Sequence, residues 1–310
     1  MAVADLVFQT LLDRGYHLEG CHHVCNLADS KLWYLSPSQA RSFLAMTRAS
    51  DYKQSVVIPE LSLLSKYLPS LARHFSSQTT LNLVDFGCGD GYKAAFLVGT
   101  FPSRFRWHYL PLDVNAAFLR QAGRRLNQSN VKLVSFPPGD FLHLSPSQLS
   151  DKLSPCPSLF LLLGNTLGNF DDKHPLSFIH QVIRPGDCFI VGNGLVPPLS
   201  SADLLAAYSH PQIESWLFQL LALLGLHQQD LTYTVRFVNS RVEECFRFRR
   251  AVTLHHLNQA LQFKPGDLLI IATSHKYTLA SFRHCLATFF PRLQIFTNSN
   301  YHYALAFAFC

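Results

Sequence analysis

Apolar and polar positions follow two different periods along this chain. From residue 80 onward, short apolar runs (Leu81–Phe86, Trp107–Leu112, Val131–Phe136, Leu159–Leu163 and Cys188–Val191) alternate with stretches such as Ala116–Leu126 and Leu176–Ile183, whose apolar residues recur at helical spacing. Runs of that length read as buried strands, and the 3.6-residue recurrence reads as amphipathic helix. Their alternation predicts an α/β fold built on a doubly wound, Rossmann-like parallel sheet with short right-handed crossovers. The end of the chain departs from the pattern. Arg292–Thr297 and Tyr303–Phe309, joined through Asn298-Ser299-Asn300, predict an antiparallel hairpin closing that sheet.

Two regions break the rhythm. Residues 1–56 are helix-like with polar interruptions. Residues 199–280 carry a helical run, Ser201–Leu224, and then a long amphipathic hairpin, Leu231–Val238 with Val242–Leu254, turning at Asn239-Ser240. The expectation is one domain from 57–198 and 280–310, carrying the sheet, and a second α+β lobe from 1–56 and 199–279. Pro197-Pro198 and Lys264-Pro265-Gly266-Asp267 are the expected hinge or turn points.

Composition narrows the class. The chain has 310 residues, 48% of them hydrophobic and only 15% charged, enough to bury a substantial core and too apolar for disorder. No apolar run reaches the length of a membrane span, and Asp5 and Asp13 interrupt the N-terminal apolar stretch, so neither a membrane anchor nor a signal peptide is read there; the expected location is cytoplasmic. The net charge of +6 is scattered, and its one cluster, Arg247-Phe248-Arg249-Arg250, alternates as a strand with one wet face; no nucleic-acid partner is expected. Eight cysteines, at 21, 25, 88, 156, 188, 245, 285 and 310, are dispersed and read as reduced thiols. Cys21-His22-His23-Val24-Cys25 has ligand-like residues but no second Cys/His pair at zinc-finger spacing, and no metal is expected.

The chemistry begins at Leu83-Val84-Asp85-Phe86-Gly87-Cys88-Gly89-Asp90-Gly91, an apolar run ending in an acid and three alternate glycines. Dinucleotide folds favour G-x-G-x-x-G, where a helix N-terminus holds a pyrophosphate. Here the spacing is G-x-G-x-G, typical of folds that hold S-adenosylmethionine, a cofactor without phosphate whose methionine end passes close to bare backbone. This spacing and the C-terminal hairpin both speak against a dehydrogenase. The next strand ends in Asp113, 24 residues beyond Gly89, either as an acceptor for both ribose hydroxyls or as a helix N-cap. Gly139-Asp140-Phe141 then offers a carboxylate for the adenine amine and a ring for its face. The fourth strand runs into Gly164-Asn165-Thr166-Leu167-Gly168-Asn169-Phe170, a loop placed where open sheets bind ligands, although Asn also favours turns for its own sake.

Gly164–Phe170, the Gly87 turn with Lys93, and the Leu112-Asp113-Val114 step together resemble the histidine-specific Nα-methyltransferase family of ergothioneine biosynthesis. Later segments agree: Ala207-Tyr208, Arg241-Val242-Glu243 and Thr273-Ser274-His275-Lys276-Tyr277. The resemblance runs from about residue 80 to the C-terminus and is faint over residues 1–60. It implies a two-lobed S-adenosylmethionine-dependent methyltransferase in which Gly87, Lys93, Asp113, Asp140 and Phe141 line the cofactor site; Gly89 of the turn and Gly164 of the later loop are expected to bind the cofactor with them. It also implies that Asn169 and Tyr208 hold the amino and carboxyl groups of a small amino-acid substrate, that Ser274 lies in the substrate pocket, and that Tyr34 or Tyr52 closes on the carboxylate.

Two departures bear on the substrate. The family places a Glu two residues before that Ser, gripping the imidazole of histidine, where this chain has Ala272. The Asn-rich stretch expected after Ala207-Tyr208 is replaced by Ile213-Glu214-Ser215-Trp216-Leu217-Phe218. Leaving a buried imidazole unpaired costs about 1–3 kcal/mol, so the expected acceptor is the amino group of an amino acid or related small amine other than histidine. Histidine with another residue replacing the Glu, or a protein or peptide side chain, are the alternatives. Methyl transfer is an in-line displacement governed by positioning, and no residue is assigned as catalytic.

Overall fold

The computed structural model describes residues 3–49, 52–170, 174–196, 201–256, 258–299 and 302–310. Among these the strands are, in chain order, β1 (His17–Glu19), β2 (His22–Asn26), β3 (Thr80–Phe86), β4 (Arg106–Leu112), β5 (Val131–Leu133), β6 (Ser158–Leu162), β7 (Cys188–Gly194), β8 (Leu231–Val238), β9 (Arg241–Phe248), β10 (Val252–His256), β11 (Gln259–Phe263), β12 (Leu268–His275), β13 (Arg292–Thr297) and β14 (Tyr303–Phe309). The chain divides into two compact units, Met1–Tyr52 with Leu199–His275, and Lys53–Pro198 with Lys276–Cys310. The breaks have local causes. Lys53–Val57 is wound as a wide π turn directly into the helix Ile58–His74, and Tyr277 bridges Leu195. Pro197-Pro198 lies outside the described residues.

The second unit carries a seven-stranded sheet in the order β13-β14-β7-β6-β3-β4-β5. β3, β4, β5, β6 and β7 run parallel, and β14 enters antiparallel between β7 and β13. This is a doubly wound α/β fold with an antiparallel C-terminal hairpin, as the residue pattern predicts. Every residue of β6 is buried, which is why it reads as a continuous apolar run rather than an alternating one. Val84, Phe86, Phe160, Leu162, Phe189 and Val191 meet Leu176, Ile179 and Phe282 of the flanking helices in one core. The chain reverses its winding between β3 and β6, and open sheets bind ligands beyond the strand ends at such a switch point. The three-glycine turn follows β3 and the Gly164 loop follows β6, so both sequence motifs flank it. β5 stops at Leu133 rather than Phe136, on a sheet edge just ahead of Pro137-Pro138, which have no N–H to donate.

The first unit holds a five-stranded sheet, β1-β2-β12-β9-β8, and the separate β10-β11 hairpin. Val7, Phe8, Trp33, Trp216, Leu217, Phe246 and Ile271 form its core. Three expectations are corrected here. Residues 1–56 are not purely helix-like, because His17–Asn26 is a hairpin whose second strand pairs parallel with β12. The run Ser201–Leu224 is two helices, Ser201–Tyr208 and Pro211–Ala222, since Pro211 opens a helix better than it continues one. The Val242–Leu254 run divides at Arg249-Arg250, so that Val252–Leu254 pairs with β11. Asn239 and Ser240, with φ of 50° and 63°, make the tight turn between β8 and β9, and Gly266 at φ 95° completes the turn from Lys264 to Asp267.

Candidate active site

The glycine turn is built by backbone conformation. Gly87, Gly89 and Gly91 all sit at positive φ, 65°, 53° and 73°, a region that costs other residues about 1–2 kcal/mol. They differ in what surrounds them. A Cβ at Gly91 would stand 2.7 Å from Ala122 Cα, so this glycine lets the helix Tyr92–Thr100 pack on its neighbour Ala116–Arg125. A Cβ at Gly89 would meet no atom within 4 Å, and at Gly87 only Thr166 at 3.8 Å. The first two glycines therefore border open space.

Asp113 faces the same turn from the end of β4. Its Oδ2 accepts the Gly89 amide at 3.0 Å and its Oδ1 the Asn115 amide at 2.9 Å. Burial pushes its carboxyl up to about 6, partly offset by those backbone donors. The N-cap of the following helix is Asn115, whose Oδ1 accepts the amides of Ala117 and Phe118. Asp113 is thus a strand-end carboxylate held against the turn. Gly139 donates to the Asp113 carbonyl at 3.0 Å, bringing the next loop alongside. In that loop Asp140 caps a short 3₁₀ turn, accepting the Leu142 amide at 3.0 Å, while Phe141 lies in the core against Phe86, their centroids 4.9 Å apart. Beneath the turn, Asp85 accepts the Tyr109 hydroxyl at 3.0 Å, and burial raises its carboxyl to about 7.

The loop after β6 is tied to the strands beside it. Gly164 (φ 77°) and Asn165 (φ 65°) are both left-handed. Asn165 Oδ1 accepts the Gly194 amide at 2.6 Å, and Asn193 Oδ1 accepts the Gly168 amide at 3.1 Å. Asn169 ends the short 3₁₀ turn Thr166–Asn169 and is half-buried.

Two buried charges here were not among the sequence candidates. Glu60 is fully buried in the first turn of the helix Ile58–His74, where its carboxylate pairs with Lys93, accepts the Gly164 amide at 2.8 Å and accepts the Tyr303 hydroxyl. The available signal was an acid on the apolar stripe Leu63, Leu64, Leu68 and Leu71. Lys276, 3% exposed, is the other; a Cβ on Gly194 would stand 3.4 Å from its Nζ.

The remaining candidates belong to the first unit. Tyr208 donates its hydroxyl to Ser274 Oγ at 3.3 Å, and the Tyr233 hydroxyl reaches the Tyr208 carbonyl at 2.9 Å. In the β9–β12 ladder Ala272 pairs with Glu244, and Ser274 with Val242, after a register shift between Ile270 and Ala272. Glu244 is 5% exposed and accepts from Tyr233 at 3.4 Å. Trp33 donates Nε1 to the Ile271 carbonyl at 2.8 Å, next to Ala272. Tyr34 packs edge-on to Phe43 at 4.9 Å and against Trp216 at 5.7 Å; Tyr52 borders the same core. Of the basic cluster, Arg247 donates to the Gly266 carbonyl, Arg249 to Thr232 and Arg250 pairs with Asp230. Among the described residues, no group of three or more His, Cys, Asp or Glu is placed to hold a metal, and no helix is long and apolar enough to cross a membrane. The eight cysteines are free thiols, five of them buried.

The strand order, the glycine turn and the strand-end acid define a nucleotide-type α/β fold of the kind methyltransferases use. The chain belongs to the histidine-specific, S-adenosylmethionine-dependent methyltransferase family, whose sequence pattern matches residues 32–309. It is accordingly an S-adenosylmethionine-dependent methyltransferase. A search of curated protein sequences found no match. Among solved structures, the chain is similar to a protein from Pyrococcus horikoshii OT3 (14% identity, 89% of this chain and 100% of that one, TM-score 0.46). It is also similar to an S-adenosylmethionine-dependent methyltransferase from Clostridium acetobutylicum (11% identity, 88% and 96%, TM-score 0.43). A sugar N-methyltransferase from Streptoalloteichus follows (10% identity, 86% and 91%, TM-score 0.41). At such scores these likenesses add nothing to the family assignment, which rests on the sequence match.

Proposed function

We propose that the protein methylates the amino group of an amino acid or related small amine. The observation that carries this reading is the row of polar groups in the first unit, buried Ser274 and Glu244 with half-buried Tyr208 and Tyr233, beside the aromatic side chains Trp33, Tyr34 and Trp216. Hydroxyls and a carboxylate in an apolar setting suit a compact ligand with several hydrogen-bonding atoms. Either Tyr34 or Tyr52, in the same unit, is assigned to this substrate.

The residues of the second unit fit S-adenosylmethionine. Gly87 and Gly89 present bare backbone to open space, Asp113 retains lone pairs for ribose hydroxyls, and Asp140 offers a carboxylate beside it. Lys93 supplies a cation for the cofactor's one anionic group, its carboxylate; Gly164 and Phe141 complete the set. When bound, the cofactor supplies an electrophilic methyl group on a sulfonium. The chain's own contribution is positioning, worth about 7–11 kcal/mol where alignment is good, together with aromatic faces that favour positive charge on the acceptor.

The acceptor's side chain is set around Ala272. The absence of a carboxylate at that position favours an acceptor other than histidine. One observation favours the alternative: β9 puts Glu244 directly opposite Ala272, and cross-strand partners share a face of the sheet. Glu244 can replace the missing acid, and histidine or another amino acid with an N–H-bearing side chain then fits. Incubation with S-adenosylmethionine and a pool of amines, read by product mass spectrometry, identifies the acceptor. Titration of amino acids into the protein with S-adenosylhomocysteine present separates the two readings. Histidine binding more weakly than another amino acid supports the first; histidine binding tightest overturns it in favour of the second.

A further inference from the structure

We infer that Glu60 is a positioning residue for cofactor binding, acting through Lys93 and Gly164. It belongs to no sequence motif of the site and precedes the sheet in the chain, yet its carboxylate joins three elements of the second unit. Oε2 pairs with the Lys93 ammonium, one residue into the helix after the glycine turn. Oε1 accepts the Gly164 amide at 2.8 Å, at the head of the loop after β6, and also the hydroxyl of Tyr303 on β14. The turn after β3 and the loop after β6 are the two sides of the switch point, and Glu60 binds Lys93 in the helix that leaves the first and Gly164 in the second.

The surrounding backbone is shaped to admit this carboxylate. Gly192 on β7 has no side chain where one would run into Glu60 Oε1 and stand 2.7 Å from the Tyr303 hydroxyl. Gly164 likewise keeps clear the place where its Cβ would stand 2.5 Å from Lys93 Nζ. An acid that is fully buried is heavily penalised by desolvation unless it is paired and hydrogen-bonded. A hydrophobic residue on the stripe of Leu63, Leu64 and Leu68 would pack without that cost. Its partners explain what the acid does instead. It fixes a long, otherwise rotatable lysine beside Gly164 and sets the direction of the Gly164 amide. Lys93 then meets the cofactor's carboxylate already oriented, so less side-chain entropy is lost on binding.

The test is a double-mutant cycle read by calorimetry with S-adenosylhomocysteine, which depends on the cofactor and not on the acceptor proposed above. Glu60→Gln and Lys93→Met are each expected to weaken binding about 10–100-fold, and the double variant no more than the worse single one, because the two act as a unit. 5′-Methylthioadenosine, which lacks the amino-acid end, should bind the wild type and Glu60→Gln within about twofold of each other. Glu60→Asp should recover part of the loss. A merely structural role predicts additive losses and equal weakening for both ligands; either result, or no loss in Glu60→Gln, overturns the inference. Should Glu60→Gln fail to fold by circular dichroism, Tyr303→Phe takes its place in the cycle with the same non-additivity expected and additivity again decisive against it.

Discussion

Glu244 lies directly across an antiparallel ladder from Ala272, both almost fully buried on one face of the first unit's sheet. Two carboxylates at such opposed positions would repel in a low-dielectric setting. Ala272→Glu is therefore expected to destabilise the protein by about 1–3 kcal/mol, and to do so much less in a Glu244→Gln background. Urea denaturation of the four proteins measures the coupling. Equal losses in both backgrounds would show that the two side chains do not share a face.

Asp85 makes stability depend on pH. Its buried carboxyl titrates near 7 in the folded chain, against an ordinary value of 3.8. Between those values the native state holds a proton that the unfolded chain has released. Stability from this group is thus full below the unfolded value and lost as pH rises through the folded one. Asp85→Asn keeps an acceptor for the Tyr109 hydroxyl and removes the ionisation. The variant should match the wild type near about pH 4 and exceed it by a few kcal/mol near about pH 8. Denaturation midpoints at the two pH values check this, and a pH-independent difference would falsify it.

For Asp113 the same direction of shift has a consequence in binding. Its carboxyl is raised to about 6 by burial, and its oxygens already serve the backbone amides of Asn115, Gly89 and Val114. The ionised form keeps acceptor capacity for a ribose hydroxyl that the O–H of the protonated form takes up. S-adenosylhomocysteine affinity is expected to fall up to about tenfold per pH unit below that value. Asp113→Asn should bind more weakly at neutral pH and show a flat profile. A flat profile in the wild type, measured by calorimetry from about pH 7.5 to about pH 5, would rule out a ribose role for the carboxylate.

The sheet was legible because its strands are nearly continuous apolar runs and its helices keep a clean 3.6-residue period. The glycine turn was legible because three left-handed positions in alternation require three glycines. Short, exposed or edge elements were not. β1 is exposed along its length, and β2 sets the pair His22-His23 before the pair Val24-Cys25 instead of alternating them, so neither carries an apolar period strong enough to separate strand from helix. Asp113 could be read two ways because strand ends and helix caps favour the same residues; the capping bonds of Asn115 remove the cap reading. Glu60 escaped notice for a different reason. Its partners lie 33, 104 and 243 residues away in the chain, and no local pattern reports an ion pair closed by the fold.

Gly89 and Gly91 are conformationally alike yet should fail differently. Both have left-handed φ, so alanine at either costs about 1–2 kcal/mol in backbone strain. At Gly91 the added methyl also meets Ala122 Cα at 2.7 Å, backbone of a packed helix that cannot step aside. Gly91→Ala is therefore expected to lose about 3 kcal/mol or more, combining strain with overpacking. At Gly89 the methyl enters open space, and the loss should stay near the strain alone. Its penalty should appear instead in affinity, as a weakening of about tenfold or more for S-adenosylhomocysteine, because the methyl occupies room the ligand needs. Denaturation and calorimetry on both variants measure the two effects. Normal binding by a folded Gly89→Ala would remove that glycine from the cofactor site.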